Sequence, residues 1–226
     1  MVVKTEEFLD DTVNAFTEAG IETVGLPLGT VAVESCFIPE EVQGIVITSS
    51  YALDALPRTD LPVYTVGTAT AERAREKGFN VAFSGTGSSQ QLAEKIAKQV
   101  KPCCLFHPHG DKVVNDWYDF LSARGFDIEH QEVYKVDYRT TLTDKEKDWF
   151  TSGRATRVAF FAATAVEEFL KAAQKHELDL KKIDAVFMSP RLALKISEKS
   201  PKKLFKSVII AQQSITKGVV DAAQKQ

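Results

Sequence analysis

One arrangement occurs twice along this chain, and it limits the fold more than any other feature of the sequence. Each copy contains three short apolar runs, and each run leads through a turn of small residues into a helical pattern. The first copy lies at residues 44–50, 66–71 and 84–89, and the second at residues 157–164, 188–193 and 211–214. Strands that alternate with helices predict an α/β fold with parallel sheets flanked by helices. The duplication predicts two similar lobes.

Eight apolar runs are predicted to form the strands of these sheets. They are residues 45–48, 63–66, 81–83, 103–106, 128–133, 158–161, 185–188 and 208–211. Several of them are continuously apolar rather than alternating, which is typical of parallel strands covered on both faces. The sequence therefore predicts helices on both sides of each sheet.

Helix boundaries are indicated by capping residues. Ser88, Thr143 and Thr164 each precede a glutamine or glutamate by three positions, which fits a capping box. Glycines that fit helix ends follow three of the helical patterns, at positions 20, 78 and 125. The short helix after the second strand is predicted to cover residues 72–78.

Two extended segments, residues 25–29 and 134–139, interrupt the alternation of strands and helices. Two such crossings mean that the chain leaves one lobe, builds the other and returns. We therefore expect a discontinuous lobe made of residues 1–25 and 139–226, and a second lobe of residues 32–131. Residues 26–31 and 132–138 are the expected connecting strands, running side by side.

Composition excludes several classes of protein. The 226 residues carry a net charge of −3, whereas nucleic-acid-binding proteins have a basic excess. No apolar run approaches the roughly 20 residues that span a bilayer, and the N-terminus does not resemble a signal peptide. The three cysteines have no disulfide spacing, which is typical of free thiols in a reducing compartment. We expect a cytoplasmic protein that binds neither nucleic acid nor membrane.

The turn at residues 66–71 (VGTATA) is the best candidate binding element. Gly67 lets the backbone approach a ligand closely, and Thr68 and Thr70 place hydroxyls beside the free N–H groups of a helix start. Such a turn binds anions, although a threonine there can equally cap the helix. Because both lobes present polar helix starts, we expect a cleft between them that holds an anionic ligand.

The ordered set of motifs resembles the uroporphyrinogen-III synthase family over nearly the whole chain. The similar segments are residues 47–52 (ITSSYA), 66–71 (VGTATA), 78–79, 88–92, 108–110 (PHG), 125–126, 132–134 (EVY) and 189–193 (SPRLA). The resemblance implies two α/β lobes joined by a two-stranded β-ladder. It also implies an enzyme without a metal or an organic cofactor. We expect a monomer.

The substrate implied by the resemblance is hydroxymethylbilane, a linear tetrapyrrole with eight carboxylates. The enzyme would assist loss of water to give an azafulvene cation, and ring D would be attacked at its substituted carbon. A spiro intermediate would then rearrange to uroporphyrinogen III, in which ring D is inverted. Two alternatives stay open, namely a non-catalytic two-lobed protein that binds anions or solutes, and a divergent homologue without activity.

The resemblance also implies roles for particular residues. Tyr134 matches a tyrosine that assists departure of the ring A hydroxyl, since a phenol can donate a proton; the alternative is a ladder residue that only packs its ring. The candidate substrate contacts are Ser49, Ser50, Gly67, Thr68, Thr70, Gly110, Ala162, Ser189 and Arg191. The Arg191 guanidinium pairs well with carboxylates, and the alternative is a solvated charge at a helix start.

Four positions depart from the family pattern. Ala162 replaces a serine, Leu192 a threonine and Ser189 a glycine, and only Lys4 stands near a usual arginine. Backbone N–H contacts survive these changes, whereas side-chain hydroxyls are lost. We therefore expect substrate selection to depend more on side chains in the lobe of residues 32–131.

Two further motifs are discounted. His107 and His109 would share one face of a strand, as metal ligands can, but no third ligand is identified and Pro108 is predicted to end the strand. The glycine-rich run at residues 84–89 lacks the patterns of a P-loop and of a dinucleotide site. We therefore expect no metal site.

Overall fold

The computed structural model describes residues 1–112, 115–197, 204–213 and 215–224. Ser214, the last residue of the predicted repeat, lies outside them. Within these residues, no helix combines the length and the apolar character needed to cross a membrane.

The described residues form ten strands and eight α-helices, which alternate along most of the chain. The strands are β1 (Val2–Thr5), β2 (Gly25–Val33), β3 (Gly44–Ile47), β4 (Val63–Thr65), β5 (Val81–Ser84), β6 (Cys104–Gly110), β7 (Asp127–Tyr138), β8 (Arg157–Phe160), β9 (Asp184–Phe187) and β10 (Ser207–Ile210). The helices are α1 (Leu9–Glu18), α2 (Thr68–Glu76), α3 (Ser89–Gln99), α4 (Asp116–Ser122), α5 (Asp144–Thr151), α6 (Ala163–Lys175), α7 (Pro190–Ser197) and α8 (Thr216–Gln224). Short 3-10 turns occur at Glu6–Phe8, Ser50–Asp54 and Leu180–Lys182.

The chain divides into two compact units. Residues 1–30 and 137–226 form one, called here the terminal unit, and residues 31–136 form the other, called the middle unit. We propose that these units are the two lobes expected from the sequence.

The terminal unit has the strand order β10-β9-β8-β1-β2, and every pair of neighbours is parallel. Phe160 and Phe169 belong to the apolar cluster under α6, on one face of the sheet. Leu9 and Val219 belong to the cluster under α1 and α8, on the other face. Both faces of this sheet are therefore covered, as continuously apolar strands require.

The middle unit has the strand order β7-β6-β3-β4-β5, again with parallel neighbours. Ile45 and Ile47 pack on the side of α2 and of the 3-10 turn at Ser50–Asp54. Val46 packs with α3 and α4 on the opposite side. The alternation of neighbouring β3 side chains between two cores shows that this sheet is also covered on both faces.

The strand order changes direction once in each unit, between β8 and β1 and between β3 and β6. The helices that follow the two strands at each point pack on opposite faces of the sheet. Ligands of open α/β sheets bind beside the carboxyl ends of the strands at such a switch point. The topology therefore indicates where each unit can bind a ligand.

The eight predicted strands are all present, but the prediction missed β1 (Val2–Thr5). This strand has only two consecutive apolar residues, Val2 and Val3, so it is too short to be recognised by pattern. Both are fully buried, and each packs into a different core cluster of the terminal unit.

The prediction that Pro108 ends its strand was wrong, because β6 continues to Gly110. β3 pairs only with Leu105 and Phe106 of β6, so beyond them β6 has β7 as its single neighbour. Proline is tolerated where one side of a strand is unpaired, since its missing N–H then costs no ladder hydrogen bond.

The connecting segments make backbone hydrogen bonds inside each unit. In the terminal unit, the Arg139 N–H donates to the Leu28 carbonyl at 2.8 Å. In the middle unit, the Glu34 N–H donates to the Val133 carbonyl at 2.8 Å. In each unit, a backbone hydrogen bond therefore joins the part of the chain around β2 to the part around β7.

Two of the three predicted capping boxes describe real N-caps. The Ser88 hydroxyl accepts from the Gln91 N–H at 3.2 Å, and Thr143 and Glu146 form a reciprocal box. The third prediction was wrong, because Ala162 is the N-cap of α6 and Thr164 already lies in its first turn. The glycine ends at residues 20, 78 and 125 are confirmed by φ angles of 79°, 83° and 86°, which favour glycine.

Candidate functional site

Tyr134, Ser49 and Gly110 come together at the switch point of the middle unit. Ser49 follows β3, and Gly110 is the last residue of β6 and pairs with Tyr134 in β7. The Tyr134 phenol and the Ser49 hydroxyl share a hydrogen bond. The Ser49 Oγ also accepts from the Tyr51 N–H at 3.4 Å, at the start of the 3-10 turn that Ser50 opens. Two residues that are distant in sequence, Ser49 and Gly110, thus lie against the phenol of a third, Tyr134.

Gly110 allows the Tyr134 ring to lie directly against the backbone. A Cβ atom at position 110 would be 2.5 Å from the ring carbon Cε2 and 2.9 Å from the phenol oxygen. Contacts this short do not occur, so any side chain here would displace the ring. Gly110 is a buried residue at the end of β6, although a strand that ended at Pro108 would have left it in a loop, and its role is this close approach.

The surroundings of Tyr134 keep its phenol protonated. Burial raises the pKa of Tyr134 above its ordinary value, the hydrogen bond from Ser49 opposes this shift, and the Asp111 carboxylate adds to it. The Tyr51 ring packs beside it, with 5.4 Å between the ring centroids. A half-buried, protonated phenol can donate a proton or a hydrogen bond to a bound ligand.

The α2 helix presents a second set of polar groups in the middle unit. Gly67 is its extended N-cap, and the first intrahelical bond runs from the Ala71 N–H to the Gly67 carbonyl at 3.1 Å. The N–H groups of residues 68–70 therefore point out of the helix start. Within the described part of the chain, the hydroxyls of Thr68 and Thr70 make no hydrogen bond. The helix begins four residues before the predicted start, so neither threonine caps it.

In the terminal unit, the corresponding positions have a structural explanation. Ala162 is the N-cap of α6 and offers no side-chain acceptor. The Ser189 Oγ accepts from the Leu192 N–H at 3.3 Å and so caps α7. Leu192 is 7% exposed and packs in the core under α6, which accounts for an apolar residue there. Arg191 is exposed in the first turn of α7.

Lys4 is a binding candidate that the sequence analysis did not include among the site residues. It lies at the end of β1, at the switch point of the terminal unit, and its Nζ is 2.8 Å from the Thr12 hydroxyl. The ammonium lies 4.9 Å from the centroid of the Phe161 ring, next to the start of α6. Burial lowers the pKa of Lys4 to about 8, although the Asp11 carboxylate opposes this shift. The only sequence signal was the absence of the arginine usual in this region.

The two predicted strand histidines share one face of β6, with 5.4 Å between their ring centroids. His107 is fully buried, and both of its ring nitrogens are hydrogen bonded, to Thr48 at 2.8 Å and to Tyr118 at 2.5 Å. His130, which the sequence analysis did not consider, lies 3.2 Å from His109. Among the described residues, no group of three or more potential ligands is arranged to hold a metal ion.

Burial of His107 predicts a loss of stability in acid. Burial lowers the pKa of His107 to about 3, with a smaller effect from His109 and His130, whereas the unfolded value is 6.5. Between these values only the unfolded state binds the proton, so stability falls as the pH falls. Protonation of His107 in the unfolded state is expected to lower the free energy of unfolding by about 1.4 kcal/mol for each pH unit in this range. Urea denaturation from pH 7 to pH 4 should show a steeper loss for the natural chain than for His107→Gln, and parallel losses would contradict this.

The fold and the site together indicate the class of protein to which this chain belongs. Both units are parallel α/β sheets with helix starts beside the carboxyl ends of their strands, and the middle unit adds a phenol at its switch point. Such a protein is a two-unit α/β protein whose helix starts can bind an anionic ligand, with neither a P-loop nor a metal cluster among its described residues.

The chain belongs to the uroporphyrinogen-III synthase (HemD) family, whose model matches residues 10–219. The predicted family is thereby confirmed. No curated protein has a sequence that matches this chain.

Solved structures with the same fold include uroporphyrinogen-III synthases from two bacteria. The crystal structure of the Helicobacter pylori synthetase is 17% identical, with a TM-score of 0.65, over 89% of this chain and 92% of that chain. A mutant of the Thermus thermophilus enzyme is 12% identical, with a TM-score of 0.56, over 99% of this chain and 94% of that chain. The predicted fold class, parallel sheet flanked by helices, is confirmed by these similarities.

Family membership defines the reaction. The chain is a cyclising lyase of tetrapyrrole biosynthesis, which converts hydroxymethylbilane to uroporphyrinogen III with loss of water and inversion of ring D. Neither alternative, a non-catalytic binding protein or an inactive homologue, is favoured by the structure or by the similarities.

Proposed function

We propose that Tyr134 assists the departing hydroxyl of ring A, and that helix starts in each unit bind the carboxylates of hydroxymethylbilane. The observation that carries this proposal is the position of the Tyr134 phenol, which is hydrogen bonded to Ser49 and packs on Gly110 at a switch point. Ser49 and Gly110 restrict the phenol to one position, and a fixed donor is more effective than a mobile one.

The chemistry required of the phenol is modest. Loss of water needs one proton on the leaving hydroxyl, and the ring system later releases one proton from carbon, so the balance closes without a net change at Tyr134. The azafulvene cation formed in this step is reactive by itself. The main contribution of the protein is then to fold the bilane so that ring D is attacked at its substituted carbon.

Carboxylate binding is assigned to backbone and side-chain donors together. In the middle unit the donors are the N–H groups of α2 with the hydroxyls of Thr68 and Thr70, assisted by Ser50. In the terminal unit they are the starts of α6 and α7, at Ala162 and Ser189, with Arg191. A cation in the first turn of a helix opposes the helix dipole, so a bound carboxylate would relieve an unfavourable arrangement.

The test of this proposal uses freshly generated hydroxymethylbilane and separates the two product isomers by chromatography. Without enzyme, the bilane closes to the isomer whose ring D is not inverted. We expect the natural chain to produce uroporphyrinogen III in excess, in proportion to protein concentration. Only the spontaneous isomer at every protein concentration would overturn the proposal.

Thr70→Ala should weaken turnover while leaving the fold nearly intact. Loss of a hydrogen bond to a charged group costs about 1.5–3 kcal/mol. The expected fall in kcat/KM is therefore about 10- to 150-fold. Thr151→Ala, which removes an exposed helical hydroxyl from α5, is the matched control and should retain normal kinetics. Unchanged kinetics of Thr70→Ala would remove this hydroxyl from the set of contacts.

If Lys4 binds a substrate carboxylate, affinity should depend on alkaline pH. Because the pKa of Lys4 is about 8, its charge is present below pH 8 and is lost as the pH rises through this value. We expect KM to rise about tenfold by pH 9. Lys4→Arg keeps its charge over this range and should give a flat KM, whereas Lys4→Met should have a high KM throughout. Identical pH profiles for the natural chain and Lys4→Arg would exclude this role.

We also propose that the protein acts as a cytoplasmic monomer and binds no nucleic acid. The net charge of −3 supports the last point, since a polyanionic partner would be repelled. Sedimentation at micromolar concentration tests the oligomeric state.

A further inference from the structure

His107 is a fully buried polar residue near the proposed site, and the reaction as described does not use it. It is 0% exposed and sits in the middle of β6, with the Trp117 ring at its edge, 5.0 Å away between centroids. A buried polar group is costly unless it is fully hydrogen bonded. Both ring nitrogens of His107 meet this requirement through side chains of other elements.

These two hydrogen bonds join three elements of the middle unit. The Tyr118 phenol, on α4, is 2.5 Å from Nδ1, and the Thr48 hydroxyl, directly after β3, is 2.8 Å from Nε2. Thr48 is the neighbour of Ser49, whose hydroxyl contacts the Tyr134 phenol. Three residues after His107, the same strand ends at Gly110, against which the Tyr134 ring packs.

We propose that His107 is a positioning residue for the reaction, because it fixes the end of β3 and the end of β6 and so fixes the Tyr134 phenol. This inference rests on the proposed role of Tyr134. His107 ties the backbone at Ser49 to the strand that carries Gly110. An apolar residue of similar size would fill the same space, but it would place no directional restraint on Thr48.

The three hydrogen-bonded side chains, Tyr118, His107 and Thr48, are all neutral. We therefore infer that they act through geometry rather than by proton transfer. Burial lowers the pKa of His107 to about 3 and raises that of Tyr118 to about 12. Both groups therefore keep one protonation state from pH 5 to pH 9. A displacement of a reacting group by about 1 Å can slow catalysis by about 10²-fold, so loss of the restraint should be measurable in kcat.

The test is a double-mutant cycle between His107→Gln and Tyr134→Phe. The measured quantities are kcat and KM for formation of uroporphyrinogen III (isomer III). We expect His107→Gln to lower kcat by about tenfold or more with KM nearly unchanged. Because His107 acts through Tyr134, the double variant should be no slower than Tyr134→Phe alone. Multiplication of the two effects, or normal kcat in His107→Gln, would overturn the proposal.

This experiment tests the role of Tyr134 and the role of His107 separately. Normal kcat in Tyr134→Phe refutes the role of Tyr134, and with it any action of His107 through that phenol. A slow Tyr134→Phe variant with multiplying effects refutes only the role of His107.

Two further variants guard against a simple loss of folding. Thr48→Val keeps the shape of the side chain and removes only its hydroxyl, so it can replace His107→Gln in the same cycle with the same expected lack of additivity. His176→Gln is the matched control in the terminal unit, where the His176 Nε2 accepts from the Leu142 N–H at 3.0 Å. It should lower stability and leave kcat unchanged; a fall in kcat equal to that of His107→Gln would show that both effects are nonspecific.

Discussion

Tyr134→Phe should slow formation of uroporphyrinogen III by about 10²–10⁴-fold, the usual contribution of a positioned proton donor. The substitution keeps the ring against Gly110 and Tyr51 and removes only the hydroxyl that contacts Ser49. Folding should therefore be nearly unaffected. If the hydroxyl only orients the substrate or a water molecule, the loss will be smaller, since the helix starts still hold the bilane.

The assay for this variant must separate enzymatic from spontaneous closure. A fixed concentration of Tyr134→Phe is added to fresh hydroxymethylbilane, and both isomers are measured against time. Tyr64→Phe is the matched control, because it also removes a phenol hydroxyl from a buried ring of the middle unit, and it should keep the normal rate. A normal proportion and rate of isomer III from Tyr134→Phe would leave Tyr134 as a packing residue of β7.

Gly110→Ala should have the second largest effect, on both stability and rate. The new methyl group would lie 2.5 Å from the Tyr134 ring, so the ring or the end of β6 must move. Overpacking of this kind costs about 1–3 kcal/mol of stability. Displacement of the phenol by about 1 Å should lower kcat by about 10²-fold.

Gly44→Ala separates these two effects. A Cβ atom at Gly44 would lie 2.8 Å from the Tyr64 ring, a similar clash in the same unit that does not involve Tyr134. We expect a comparable loss of stability by urea denaturation, with kcat per folded molecule unchanged. If Gly44→Ala and Gly110→Ala lower kcat equally, the close approach at Gly110 has no specific role in the site.

The terminal unit shows how carboxylate binding can persist when the side chains of the site change. Ala162 and Leu192 lack the hydroxyls that the family pattern has there, and Leu192 is used in the core instead. Backbone N–H groups at helix starts bind carboxylates regardless of the side chain. Binding can therefore persist in the terminal unit while the identity of the side chains changes.

Much of the fold could be read from local patterns. The buried strands are continuously apolar because both faces of each sheet are covered, and helix ends such as Gly78 need a left-handed backbone that glycine adopts easily. The order of small-residue turns was enough to indicate the family, and with it Tyr134 and the turn at residues 66–71. These signals depend only on residues that are close together in the sequence, so they can be recognised without knowledge of the tertiary structure.

Other features depend on neighbours in space and were missed or misread for that reason. β1 is a strand because β2 and β8 flank it, and Pro108 stays within β6 because one side of that strand is unpaired. The contact of Tyr134 with Ser49 and Gly110 joins residues far apart in sequence. The buried chain from Tyr118 through His107 to Thr48 does so as well. The sequence by itself determined most of the elements and the family, whereas only the tertiary structure decided which side chains meet, because hydrogen bonds and close packing depend on distances that no local pattern contains.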